Sequence, residues 1–184
     1  MQLVVVYVSL LFLLTMIDGA ASPVGGEGNR LALYLTAPIS AATFLRAKLI
    51  VLLVPMLIGG LIVTSVLSWW ADLSLPAYLS ALALVGLLIT SCTAIFVYGS
   101  TWDADLGMEV EGAIQSLVLE EAPITPRRIM LVNLSLVLAA VQLFLLWLLP
   151  AGAAILALAM TDGVLLVVLQ RFGAAQLHRL TLVG

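Results

Sequence analysis

Five apolar runs, each close to the length that crosses a bilayer, constrain this chain more than any other feature. They cover about residues 1–17, 47–70, 77–98, 129–149 and 151–169, and roughly 20 apolar residues in helical conformation span membrane hydrocarbon. Lipid offers the backbone no hydrogen bonds, so runs of this length read as helices. Of the 184 residues, 64% are hydrophobic and 9% charged, against roughly a half and a quarter in soluble domains. With so little charge, the outer surface has to meet lipid. The expected fold is all-α: a polytopic transmembrane helical bundle of about five spans, forming one domain over 1–184. Short cytoplasmic amphipathic helices are expected between spans.

The fourth and fifth runs are separated by Pro150, Ala151 and Gly152. Proline removes a helical hydrogen bond and clashes with the preceding turn, so a tight external turn is expected there rather than one long helix. The seven basic residues set a sidedness. Arg30, Arg46 and Lys48 lie between runs one and two, Arg127 and Arg128 just before run four, and Arg171 and Arg179 after run five. The other two connections carry none. Basic residues gather on the cytoplasmic side, which places the N-terminus outside and the C-terminus in the cytoplasm, in a multi-pass protein of the cell membrane. Residues 1–22 end in Ala20, Ala21 and Ser22, a small-residue pattern also found at signal-peptide cleavage sites. No basic residue precedes the run, so a retained span is expected.

Several functions are excluded. The net charge of −3 and the lack of a basic patch speak against nucleic acid. The lone Cys92 permits no internal disulfide, and the lone His178 permits neither a His-based triad nor a His-rich metal site. No Walker-type loop is present, so the chain binds no ATP by that route and no cofactor of its own is expected. An intramembrane enzyme would need paired acids or a nucleophile–base pair within spans, and only Asp162 is there. The chain reads as a non-enzyme.

Two connections resemble each other. EGNRLALYLTAPIS (27–40) and EGAIQSLVLEEAPIT (111–125) both open on Glu-Gly and close on Ala-Pro-Ile and a hydroxyl residue. Pro38 and Pro123 stop a preceding helix, since the residue before proline is steered out of the α region. Ser40 and Thr125 can then cap the next helix, and Pro126 fits its first position, where a missing N–H costs nothing. Ahead of Pro123, Leu106, Val110, Ile114, Leu117 and Val118 recur at helical spacing, with Asp105, Glu109 and Glu120 largely elsewhere. That pattern describes a short amphipathic helix over 105–125. Its acids disfavour an anionic lipid surface and favour a protein partner.

These residues resemble the permease subunits of type-2 ATP-binding-cassette exporters. Glu27, Arg30, Leu31, Leu35, Pro38, Ser40 and Lys48 match in order the family's charged pair, short coupling helix, Pro-hydroxyl turn and basic helix start. Glu111, Pro123 and Thr125 match in the second copy, with Arg127 and Arg128 supplying the charge. The resemblance implies a homo- or heterodimer of permease chains, coupled through these segments to a nucleotide-binding ATPase subunit that holds ATP and Mg. The family usually has six spans with its N-terminus inside, which would put one further helix before Met1. A scaffold or assembly protein that grips a cytosolic partner without moving a substrate is the alternative.

Within the spans, Asp162 lies nine residues before Arg171, about 13 Å along a helix from the cytoplasmic border. A carboxylate at such depth usually marks a cavity or pathway. Otherwise the helix is shifted outward, or Asp162 is held against Thr161 and a neighbouring helix. Gln142, Thr90, Ser91 and Thr93 are its natural partners, and Asp162, Gln142 and Thr90 the candidate translocation pathway. Gly59, Gly60 and Gly86 read as close-approach surfaces. Trp69, Trp70, Tyr98 and Trp102 read as interfacial belt residues.

Overall fold

The computed structural model describes residues 1–19, 40–103 and 126–183. Among them every regular element is helical: α1 Gln2–Gly19, α2 Ala41–Trp70, α3 Leu75–Gly99 with a 3₁₀ turn Ser100–Asp103, α4 Pro126–Leu148 and α5 Ala151–Val183. Four helical stretches are long and apolar enough to cross a membrane: Ala41–Trp70, Leu75–Trp102, Ile129–Leu148 and Ala151–Arg179. The apolar stretch in α1, Gln2–Phe12, is shorter. The all-α helical bundle expected from the apolar runs is therefore present.

The helix ends follow local chemistry. Ser40 caps α2, its side chain accepting from the Thr43 N–H at 3.2 Å, and Pro126 opens α4. Between α4 and α5 only residues 149–150 intervene, and the Pro150 carbonyl takes the Ala154 N–H at 2.9 Å, so the proline itself starts α5. The α2–α3 turn closes with Asp72 N–H on Trp69 O at 3.2 Å and Leu73 N–H on Ser68 O at 3.0 Å. This is a Schellman ending, with Asp72 at φ 49° in the left-handed position usually held by glycine. α5 runs on to Val183 where the span was expected to close near 169, because Gln170, Arg171 and His178 are all compatible with helix.

α3 is the hub. It packs against α1, α2, α4 and α5, and from Ser91 to Gly99 every residue is buried. The other helices bury single stripes. On α4 these are Leu131, Ser135, Ala139, Gln142 and Leu146; on α5 they are Ala154, Leu158, Asp162, Gly173 and Leu177. Spacings of three and four residues, and of eleven (three turns) between Asp162 and Gly173, keep each stripe on one helix face. The opposite faces show Ile50, Val54, Ile58 and Ile62 on α2 and Leu156, Met160, Val164 and Val167 on α5, all exposed. In water such a coat would drive aggregation, whereas in lipid it costs nothing.

The two ends of the bundle differ. Leu73, Leu146 and Leu149, beside the two short turns, belong to the large cluster that also holds Met1, Val4, Val5 and Leu84. At the other end Leu45, Ala94, Tyr98 and Leu177 form a second cluster. Tyr98 is thus 2% exposed, a core residue rather than a belt residue. Trp69 and Trp70, at 84% and 82%, are free to lie at an interface.

Candidate functional site

The polar group at the centre of the bundle is assembled from α3, α4 and α5. Ser91, Gln142 and Asp162 each fall on the buried stripe of their helix, so the same periodicity that buries leucines also buries them. The Gln142 amide uses both hydrogens: Nε2 donates to Asp162 Oδ1 at 3.0 Å and to Ser91 Oγ at 3.3 Å. Ser91 Oγ passes its own hydrogen back to Leu87 O at 3.0 Å. A chain of bonds therefore runs from the carboxyl group of α5 through the amide of α4 to the backbone of α3.

Two atoms of this chain stay unmatched. Asp162 Oδ2 and Gln142 Oε1 are buried and make no hydrogen bond, and both residues are 3% exposed. Gln142 Oε1 is an acceptor in any state, whereas Asp162 Oδ2 accepts when the group is ionised and donates when it is protonated. Its bonded neighbours are neutral. Cys92, beside Ser91, is also buried. Among the described residues no trio of His, Cys, Asp and Glu converges in a way that could hold a metal.

Of the residues singled out from the sequence, Gln142 meets Asp162 directly and Ser91 is joined to it through the Gln142 amide. Thr90 does not: its Oγ1 donates to Gly86 O at 2.7 Å on a half-buried face. Thr93 likewise donates to Ile89 O at 2.7 Å, and Thr161 to Ala157 O. Of the glycines, Gly60 is pressed against Ile89 and Val85, and Gly59 faces Phe12 at 3.3 Å. Gly86 has nothing within 4 Å of where a Cβ would stand, so it is not a close-approach surface. Sequence reasoning missed Gly99 against Leu131, and Gly173 against Leu45 and Tyr98. A glycine falling on the buried stripe of α5 was the available signal for the second.

At the end opposite the short turns, Ser40 caps α2, and Lys48 Nζ stands 5.9 Å over the Phe44 ring. Arg46 is exposed on the same helix. Arg127 and Arg128 lie in the first turn of α4, their side chains outside the described part. Glu27, Arg30, Pro38, Glu111, Pro123 and Thr125 lie outside the described residues. The chain matches no protein-family model, no curated protein and no solved structure.

Proposed function

We propose that this chain is the membrane-spanning permease subunit of an ATP-driven transporter of the ATP-binding-cassette type, acting as an exporter. One observation carries the reading. α3 ends, and α2 and α4 begin, at the same end of the bundle, where Tyr98 joins Leu45 and Gly99 meets Leu131, so segment 20–39 enters α2 there and segment 104–125 connects α3 to α4 there. That end also holds Arg46 and Lys48 of α2 and Arg171 and Arg179 of α5, while the connection 71–74 at the other end carries Asp72 and no basic residue. The basic end is cytoplasmic by charge asymmetry, with α1 as the fifth crossing element, the N-terminus outside and the C-terminus in the cytosol.

Two such chains form a dimer, and each offers its acid-started, proline-stopped segments to a separate nucleotide-binding subunit that holds ATP and Mg. Closure of those subunits on ATP favours one of two packings of the spans, which is how a ligand shifts a two-state element. Asp162 and Gln142 form the polar part of the path, and Thr90 borders it.

Purification of the chain from its native membrane tests the proposal. A P-loop ATPase is expected to accompany it in fixed ratio, with ATP hydrolysis that depends on this chain. Glu27→Gln and Pro38→Ala are expected to lower that dependence about tenfold with insertion unchanged, on the scale of ordinary coupling energies. Hydrolysis unaffected by both variants would reject the reading. A cytosolic partner without a nucleotide site would put a scaffold role in its place.

A further inference from the structure

The carboxyl–amide pair of Asp162 and Gln142 is complete on one side only. The Gln142 amide donates to Asp162 Oδ1, while Asp162 Oδ2 and Gln142 Oε1, the other oxygen of each group, have no hydrogen bond. Both atoms are sealed so closely that nothing the size of a water molecule touches them. Whatever completes the pair therefore takes up almost no volume.

Charge narrows the choice further. An ionised carboxylate at this depth needs a counter-charge or several donors. α4 presents the neutral Gln142 to it, and α3 presents Ser91 with the thiol of Cys92 beside it. On α5 itself the nearest basic residue is Arg171, nine positions on and exposed. The basic residues of α2, Arg46 and Lys48, flank the stretch at Leu45, which packs against Gly173, eleven positions beyond Asp162. Among the described residues no cation is paired with the carboxyl group, and one amide N–H is its only donor.

A carboxylic acid meets both shortages at once. Protonated at Oδ2, Asp162 has no charge to bury, and its O–H is the donor that Gln142 Oε1 lacks. The amide N–H on Oδ1 and the acid O–H on Oε1 then close a ring of two hydrogen bonds, and the second amide hydrogen stays on Ser91 Oγ. A buried polar pair is stable when every member is satisfied and costly when one is not.

We infer that Asp162 is a proton-binding site. Oδ2 takes one proton from water as the bundle closes over it, the side chain passes from anion to neutral acid, and Gln142 holds the proton in place through Oε1. The proton leaves when α4 and α5 part far enough to admit water. No motor subunit and no cargo enters the inference, so it stands or falls apart from the transport reading.

Infrared spectra of the full chain in lipid vesicles at neutral pH test it, because the C=O stretch of a protonated carboxyl group is separate from the bands of a carboxylate. Asp162→Asn puts an N–H where the acid has its O–H and so preserves the ring. Subtracting its spectrum from that of the wild type is expected to leave one protonated-carboxyl band, with no loss from the carboxylate bands. Gln142→Met, close to glutamine in volume, is expected to shift that band to higher frequency, since the acid carbonyl loses its N–H. A difference spectrum made of carboxylate bands would overturn the proton site, and an acid band unmoved by Gln142→Met would overturn the part given to the amide. The comparison of wild type with Asp162→Asn decides the first question even if the methionine variant does not fold.

Discussion

Asp162 is tolerated in the middle of this bundle because Gln142 divides one amide group between two neighbours. Interhelical hydrogen bonds in membranes contribute only about 0.6 kcal/mol each on average, whereas stranding a buried polar partner costs about 1–3 kcal/mol. The second effect is larger, so the two single substitutions should not be equal. Gln142→Leu leaves a carboxyl group with neither of its oxygens hydrogen-bonded and is expected to destabilise the fold by about 2 kcal/mol. Asp162→Leu is expected to do less harm, and the double variant less than the sum of the two. Reversible unfolding in mixed micelles measures this, and strict additivity would show that the amide is not what holds the acid. The meeting of Asp162 with Gln142 and Ser91 was legible in the sequence, since all three are polar residues at matching depth. That Thr90 takes no part was not legible, because a threonine in a helix always has its own i−4 carbonyl as an alternative and the rotamer decides.

Helix against helix, approach distance is set by glycine. A Cβ on Gly60 would run into Ile89 Cδ1, the end of a flexible side chain, while one on Gly86 meets nothing within 4 Å. Gly60→Ala is accordingly expected to cost about 1–3 kcal/mol through forced repacking, and Ile89→Val, which removes the colliding methyl, to recover most of it. Gly86→Ala is expected to be neutral or to gain up to about 1 kcal/mol, the helix preference of alanine over glycine. Thermal unfolding of the three variants distinguishes a packing glycine from an idle one. In sequence the two look alike, each being a glycine in an apolar run. What could be read at this scale was the punctuation: Ser40, Pro126 and Pro150 stand where the structure puts helix ends, because capping and the missing proline N–H act locally. Asp72 in the left-handed position follows instead from how α2 and α3 pair.

For the molecule as a whole, sidedness is the quantity to test. Cys92 is 1% exposed, so a single introduced cysteine can report its own accessibility against little background. Ser74→Cys is expected to react with a membrane-impermeant maleimide from outside intact cells, and Arg179→Cys only after permeabilisation. The reverse pattern would turn the bundle over and remove the cytoplasmic setting on which the transporter reading depends. The proposed sidedness rests on charge placement, since positive residues sort between the connections before any packing exists. The identity of the central helix was harder to see because four runs have similar hydropathy. The clue was small residues on every side of α3, among them Ala81, Ser91, Cys92, Thr93, Ala94 and Gly99, which let neighbours close in from all directions.

That central placement leaves evolution unequal room along the chain. Lipid tails conform to whatever shape faces them, so the outer faces of α2 and α5 are free to exchange one aliphatic residue for another with little penalty. α3 has fixed neighbours on all sides, and a methyl added or lost there must be answered by a second change in another helix. Most of the chain can drift alone, while α3 can drift only in company.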